Sequence, residues 1–116
     1  MKRLHLVLMT IGFGLTMTAT QAAAQSPVLH WGSDTRAMSQ EECMKRARFA
    51  MGEQGLKVSG EDASDVAGTG SNVAVLVTCI SFGGRTFISV VAASPDSGVA
   101  ERFRNGVRSL VMGPAS

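Results

Sequence analysis

The chain has 116 residues, 45% of them hydrophobic, with 11 Lys and Arg against 9 Asp and Glu and a formal net charge of +2. That length holds one small domain with a modest core and excludes two. One Trp, no Tyr and only two Cys argue against an aromatic-rich ligand groove and against a zinc ligand set.

The N-terminus reads as an export signal. Met1-Lys2-Arg3 is a basic start, followed by an apolar run from Leu4 to Leu15 interrupted only by His5, Thr10 and two glycines. Small and polar residues then lead to Ala22-Ala23-Ala24, the pattern of a cleaved secretory signal peptide over residues 1–24. The apolar run is shorter than the roughly 20 residues of a membrane-spanning helix, against the alternative of a retained anchor. With no twin arginine and no cysteine near Ala24, the expectation is Sec export. A mature domain of residues 25–116 would then be periplasmic or secreted, without a stable membrane anchor. Losing Lys2 and Arg3 leaves nine basic residues against nine acidic ones. A near-neutral mature chain lacks the basic footprint that binding to nucleic acid or anionic membrane requires.

In the mature chain, Val28-Leu29-His30-Trp31 predicts a short first strand ending at Gly32-Ser33-Asp34. His30 is the only histidine left after processing and has no visible partner set, so it reads as a strand residue rather than a ligand. Ser39-Gln40-Glu41-Glu42 has the form of a capping box, in which Ser39 accepts from the N–H of residue 42 and Glu42 reaches back to Ser39. In the helix that follows, Cys43, Ala47, Ala50, Met51 and Gln54 share one side with Met44 beside them. Lys45, Arg46 and Arg48 spread over a solvated face. Gly55-Leu56 predicts a Schellman stop, and Leu56-Lys57-Val58 a second strand. Residues 59–72 are the most polar and glycine-rich stretch and read as a mobile surface loop, with Val66-Ala67 as a short strand before a turn. Glu61, Asp62, Asp65 and Asn72 do not match the spacing of a calcium loop, so no metal is expected there.

Residues 73 to 93 carry the clearest pattern. Two β-branched and aromatic arms flank Gly83-Gly84, a two-residue turn able to take φ > 0. Pairing Phe82 with Arg85 sets Cys79 opposite Ile88, Val77 opposite Val90 and Val75 opposite Ala92 on one face. On the other face Ile80 meets Phe87, Thr78 meets Ser89 and Leu76 meets Val91. Ser94-Pro95 ends the sheet, and Asp96 or Ser97 caps a second helix to about Met112. Val99, Phe103, Val107, Leu110 and Val111 form its apolar stripe, and Gly106 on that face would let helix and sheet approach. Gly113-Pro114 stops it.

Cys43 and Cys79 both look inward in an exported chain, which predicts one disulfide tying helix to sheet. A redox pair or thiol nucleophile would want a Cys-x-x-Cys spacing or a basic activator nearby in sequence, and neither is present. Hydrolase triads mostly need a histidine base and only His30 remains. No catalytic residue, metal or cofactor is therefore assigned.

Cys43-Met44 with Ala47, a helix ending at Gly55-Leu56, a Gly/Asn turn, then Val77-Thr78-Cys79-Ile80 and a last amphipathic helix resemble a group of small exported single-domain bacterial proteins of uncharacterised function. The likeness spans residues 39 to 111 and implies a periplasmic location and one disulfide. The expected fold is α+β, a two-layer sandwich with a mainly antiparallel sheet of three or four strands under two helices on one face. Helices over the Cys79 face would leave Leu76, Ile80, Phe82, Phe87 and Val91 as an apolar outer face. Unless residues 25–38 or 59–72 fold over it, that face predicts a non-enzymatic interaction or self-assembling envelope module, pairing with its own copy or an envelope partner. The alternative is a binder or enzyme for an anionic ligand, using Arg36, Arg85 or the helix arginines.

Overall fold

The computed structural model describes residues 26–113. The signal peptide expected over residues 1–24 and the stop at Pro114 lie outside them. Within the described residues the elements run β1 (Val28–Arg36), α1 (Gln40–Glu53), β2 (Lys57–Glu61), β3 (Asp65–Thr69), β4 (Ala74–Phe82), β5 (Arg85–Ser94) and α2 (Ser97–Met112). The strands form one antiparallel sheet in the order β1-β5-β4-β3-β2. The class is α+β with two helices packed on the sheet, and the sheet has five strands rather than three or four.

The added strand comes from residues 59–72. Instead of a mobile loop they form most of a hairpin, β2–β3, closed by Asp62, whose Oδ1 accepts from the backbone N–H of Ser64 and Asp65. An aspartate bridging its own turn does what a longer loop would otherwise do. Gly68, read as the start of a turn, lies inside β3 and faces the helices. A Cβ there would come 2.5 Å from Met51 Sδ, so the missing side chain is what lets α1 settle onto β3.

The β4–β5 hairpin has the register that its alternation predicts, from Phe82 opposite Arg85 through to Val75 opposite Ala92. Gly83 and Gly84 turn at φ 53° and 79°, a conformation most side chains avoid. β1 does not end at Gly32 but continues to Arg36, because β5 offers it a full-length edge from Ser94 to Thr86.

At the start of α1 the Ser39 hydroxyl accepts from the Glu42 N–H at 3.0 Å. Glu42 does not complete the capping box; its carboxylate turns forward to Arg46, one helical turn on, at 2.9 Å. That contact holds the Glu42 carboxyl below its usual pKa. Arg46 also departs from the solvated reading, since it donates to the C=O of Val111 and Met112 and so caps α2. At the other end of α1, Gly55 N–H bonds Gly52 C=O and Leu56 N–H bonds Met51 C=O, both bonds of a Schellman stop. Asp96 caps α2 through Gly98 and Val99 N–H. Gly106 meets the side chain of Gln54 on α1 rather than the sheet, so it sets the spacing between the helices.

Cys43 and Cys79 are disulfide-bonded with Cα atoms 6.1 Å apart. Around them Val66, Val75, Val77, Ile88 and Val90 of the sheet bury against Ala47, Ala50, Met51, Val107 and Val111 of the helices. Strand alternation commits one sheet face to this core and turns the other outward.

Candidate functional site

The outward face carries the feature most in need of a functional account. β5 and β4 place Phe87, Val91, Leu76, Ile80 and Phe82 on it, and β1 adds Leu29 and Trp31 in register with Ala93 and Val91. Leu29 is 64% exposed, Trp31 63%, Phe82 56%, Ile80 50% and Leu76 40%. Phe87 and Val91 are half-buried, flanked by these neighbours. An antiparallel face left to water normally alternates toward polar side chains. Here a polar row of Ser33, Ser89, Thr78 and Asp65 crosses the middle, with apolar residues on either side.

Neither segment that could have folded over this face does so among the described residues. Residues 28–36 lie beside β5 as an edge strand, and residues 57–69 extend the opposite edge. Trp31 is pinned against the surface by an Nε1–H bond to Ser89 Oγ at 3.1 Å, not drawn into a core. Leu29 and Trp31 were missed as members of the face because four residues of strand do not reveal their partner. Their signal was the alternation of Leu29 and Trp31 with Val28 and His30.

Side chains and a bulge interrupt both edges of the sheet. On β1, Arg104 donates to the Trp31 C=O at 2.6 Å, Asp34 Oδ1 accepts from Thr35 N–H, and Arg85 donates to the Thr35 C=O. A Cβ at Gly32 would press on Arg108 and Arg104, so that glycine seats α2's arginines across the strand. On the far side of the sheet, β2 is interrupted by a bulge between Val58 and Gly60. Just before the start of β3, Ser64 C=O accepts from Cys79 N–H, while Gln40 bonds both Cys79 C=O and Ser81 N–H. Bulges and charged side chains of this kind discourage edge-to-edge pairing.

Several arginines are taken up by acids and backbone carbonyls. Arg36 and Arg108 both approach Asp34, at 3.2 and 3.7 Å, and Arg48 pairs with Glu61. A hollow of about 420 Å³ at the start of α1 includes Arg85, with Glu41 and Glu42 in the adjoining first helical turn. His30 Nε2 lies 3.0 Å from Ser97 Oγ at the start of α2. Among the described residues no group of three or more His, Cys, Asp or Glu could hold a metal ion.

No protein-family model and no curated protein matches the chain. Among solved structures, that of Ara h 8.0201 is similar over 74% of this chain and 98% of its own, at 6% sequence identity and a TM-score of 0.37. That likeness is too distant to bear on fold or function.

Proposed function

We propose that the protein is an exported, non-enzymatic interaction module of the bacterial cell envelope, periplasmic or secreted, and that the open sheet face is its binding surface. The observation that carries this reading is the face itself: five large apolar side chains, each at least 40% exposed, share one side of the sheet and nothing in the described chain lies over them. Contiguous apolar patches of several hundred Å² on a small protein mark places where another surface docks. The Cys43–Cys79 disulfide suits an oxidising compartment outside the cytoplasm, in keeping with the export pattern at the N-terminus and with the resemblance to small exported bacterial proteins. No described helix is long and apolar enough to cross a membrane.

The test is site-directed photo-cross-linking in living cells. A cross-linkable residue at Ile80 is expected to capture a protein partner, and the same residue at Arg102, exposed on α2, to capture none. Equal capture from both positions, or none from Ile80, would refute the reading.

A further inference from the structure

Resting on that reading of the open face, we propose that its partner is a second copy of the same chain. The two sheets pack face to face about a two-fold axis that runs across the strands at the row of Thr78 and Ser89.

The case begins with how side-chain size is distributed on either side of that row. On β4 and β5, Ile80, Phe82 and Phe87 stand toward the Gly83-Gly84 turn, while toward the opposite end Leu76 and Val91 give way to Ala74 and Ala93, with Ala67 beside them on β3 and Leu29 and Trp31 on β1. The small residues leave a depression of about 240 Å³ on the face. That lies below the roughly 300 Å³ at which sites for free small ligands begin, and it is large enough for one aromatic side chain. On β4, Phe82 and Ala74 stand at equal distances from Thr78. A two-fold axis there therefore lays Phe82 of each copy over Ala74 of the other, Ile80 over Leu76 and Phe87 over Val91. Large meets small twice, the self-complementarity that a two-fold contact requires. The Thr78–Ser89 row meets itself at the centre, and at its β3 end the two Asp65 carboxylates, each accepting from a Thr78 hydroxyl, come toward one another, a like-charge cost that the apolar contacts on either side must exceed.

The area reaches the lower end of what a stable dimer needs. Five strands spaced about 4.8 Å apart, with central strands about 30 Å long, present roughly 600–700 Å². A stable association buries about 600–1,000 Å² per partner, so the contact must use nearly the whole face. Pairing through the edges is disfavoured, because Arg104, Asp34 and Arg85 occupy the Trp31 C=O and both backbone groups of Thr35 on β1, and a bulge breaks β2.

Sedimentation velocity on protein recovered from the envelope, from low to high micromolar, is expected to show a reversible monomer–dimer equilibrium. Ile80→Glu places a charge in both halves of the contact, and should raise the dissociation constant at least about a hundredfold with an unchanged circular dichroism spectrum. Ala74→Trp, which fills the depression from within, should weaken the dimer without touching Ile80. Arg102→Glu on the helix surface should leave it intact. A monomer throughout the range, or a dimer that survives both face variants, overturns the proposal. A monomer whose residue 80 still cross-links to another envelope protein overturns the second copy alone and leaves the open-face reading standing. A monomer with no cross-link from residue 80 ends both.

Discussion

At the scale of single residues, two positions hold the β2–β3 hairpin in place by different means. Asp62 closes the turn as an acceptor, and its bonds from the Ser64 and Asp65 N–H hold its carboxyl below the usual aspartate range. A carboxyl whose pKa is lower folded than unfolded adds stability that is complete above the unfolded value and is lost as the pH falls through the folded one. Amide hydrogen exchange at Ser64 and Asp65 should therefore quicken, once corrected for intrinsic rates, as the pH drops from the ordinary aspartate range downward. In Asp62→Ala that pH dependence should vanish. Gly68 acts by what it lacks. Met51 is fully buried and has no room to move away from a new side chain, so Gly68→Val should cost about 1–3 kcal/mol of stability. Gly52→Ala, in α1 with nothing within 4 Å of the added methyl, should instead gain up to about 1 kcal/mol. Urea unfolding of the two variants checks the opposite signs.

At the scale of elements, the disulfide joins the two best-packed pieces, α1 and the β4–β5 hairpin. It closes a loop of 36 residues, which by the chain-entropy account is worth about 3–4 kcal/mol. In a domain whose total stability is on the order of 5–15 kcal/mol, Cys43→Ala with Cys79→Ala should shift the urea midpoint down by a large fraction. A shift of a few tenths of that size would mean the unfolded chain is already restrained. The element scale also shows what could be read in advance. The β4–β5 register was legible to the residue because period-two alternation and a Gly-Gly turn both demand the same pairing. The caps of both helices were legible because Ser39, Gly55 and Asp96 act within a few residues of themselves. The β2–β3 hairpin was not, since Gly60 and Gly68 look like loop residues: Gly60 sits at the bulge of β2, and Gly68 is explained only once Met51 is seen to need its space. Arg46 was likewise taken for a surface charge, because its acceptors on Val111 and Met112 are brought to it only by the packing of α1 on α2.

At the scale of the whole molecule, the fold is a two-layer sandwich in which the helices cover one sheet face, and among the described residues nothing lies over the other. Its hairpin half, Leu76, Ile80, Phe82, Phe87 and Val91, followed from local alternation. Its β1 part, Leu29 and Trp31, depended on β1 pairing with β5 across the length of the domain, which sequence spacing does not encode. That part supplies the most direct measurement. Trp31 is the sole tryptophan in the chain and lies on the open face, 63% exposed, so intrinsic fluorescence reports on that face alone. In dilute protein its emission should be solvent-like and readily quenched by acrylamide. On concentration the emission should move to the blue and quenching should fall, whereas Ile80→Glu should stay solvent-like throughout. A Trp31 already shielded in the dilute monomer would show that the chain covers its own face. A Trp31 still open to quencher at every concentration would show that no second copy docks there, and together with no cross-link from residue 80 it would contradict the assignment of this face as the working surface.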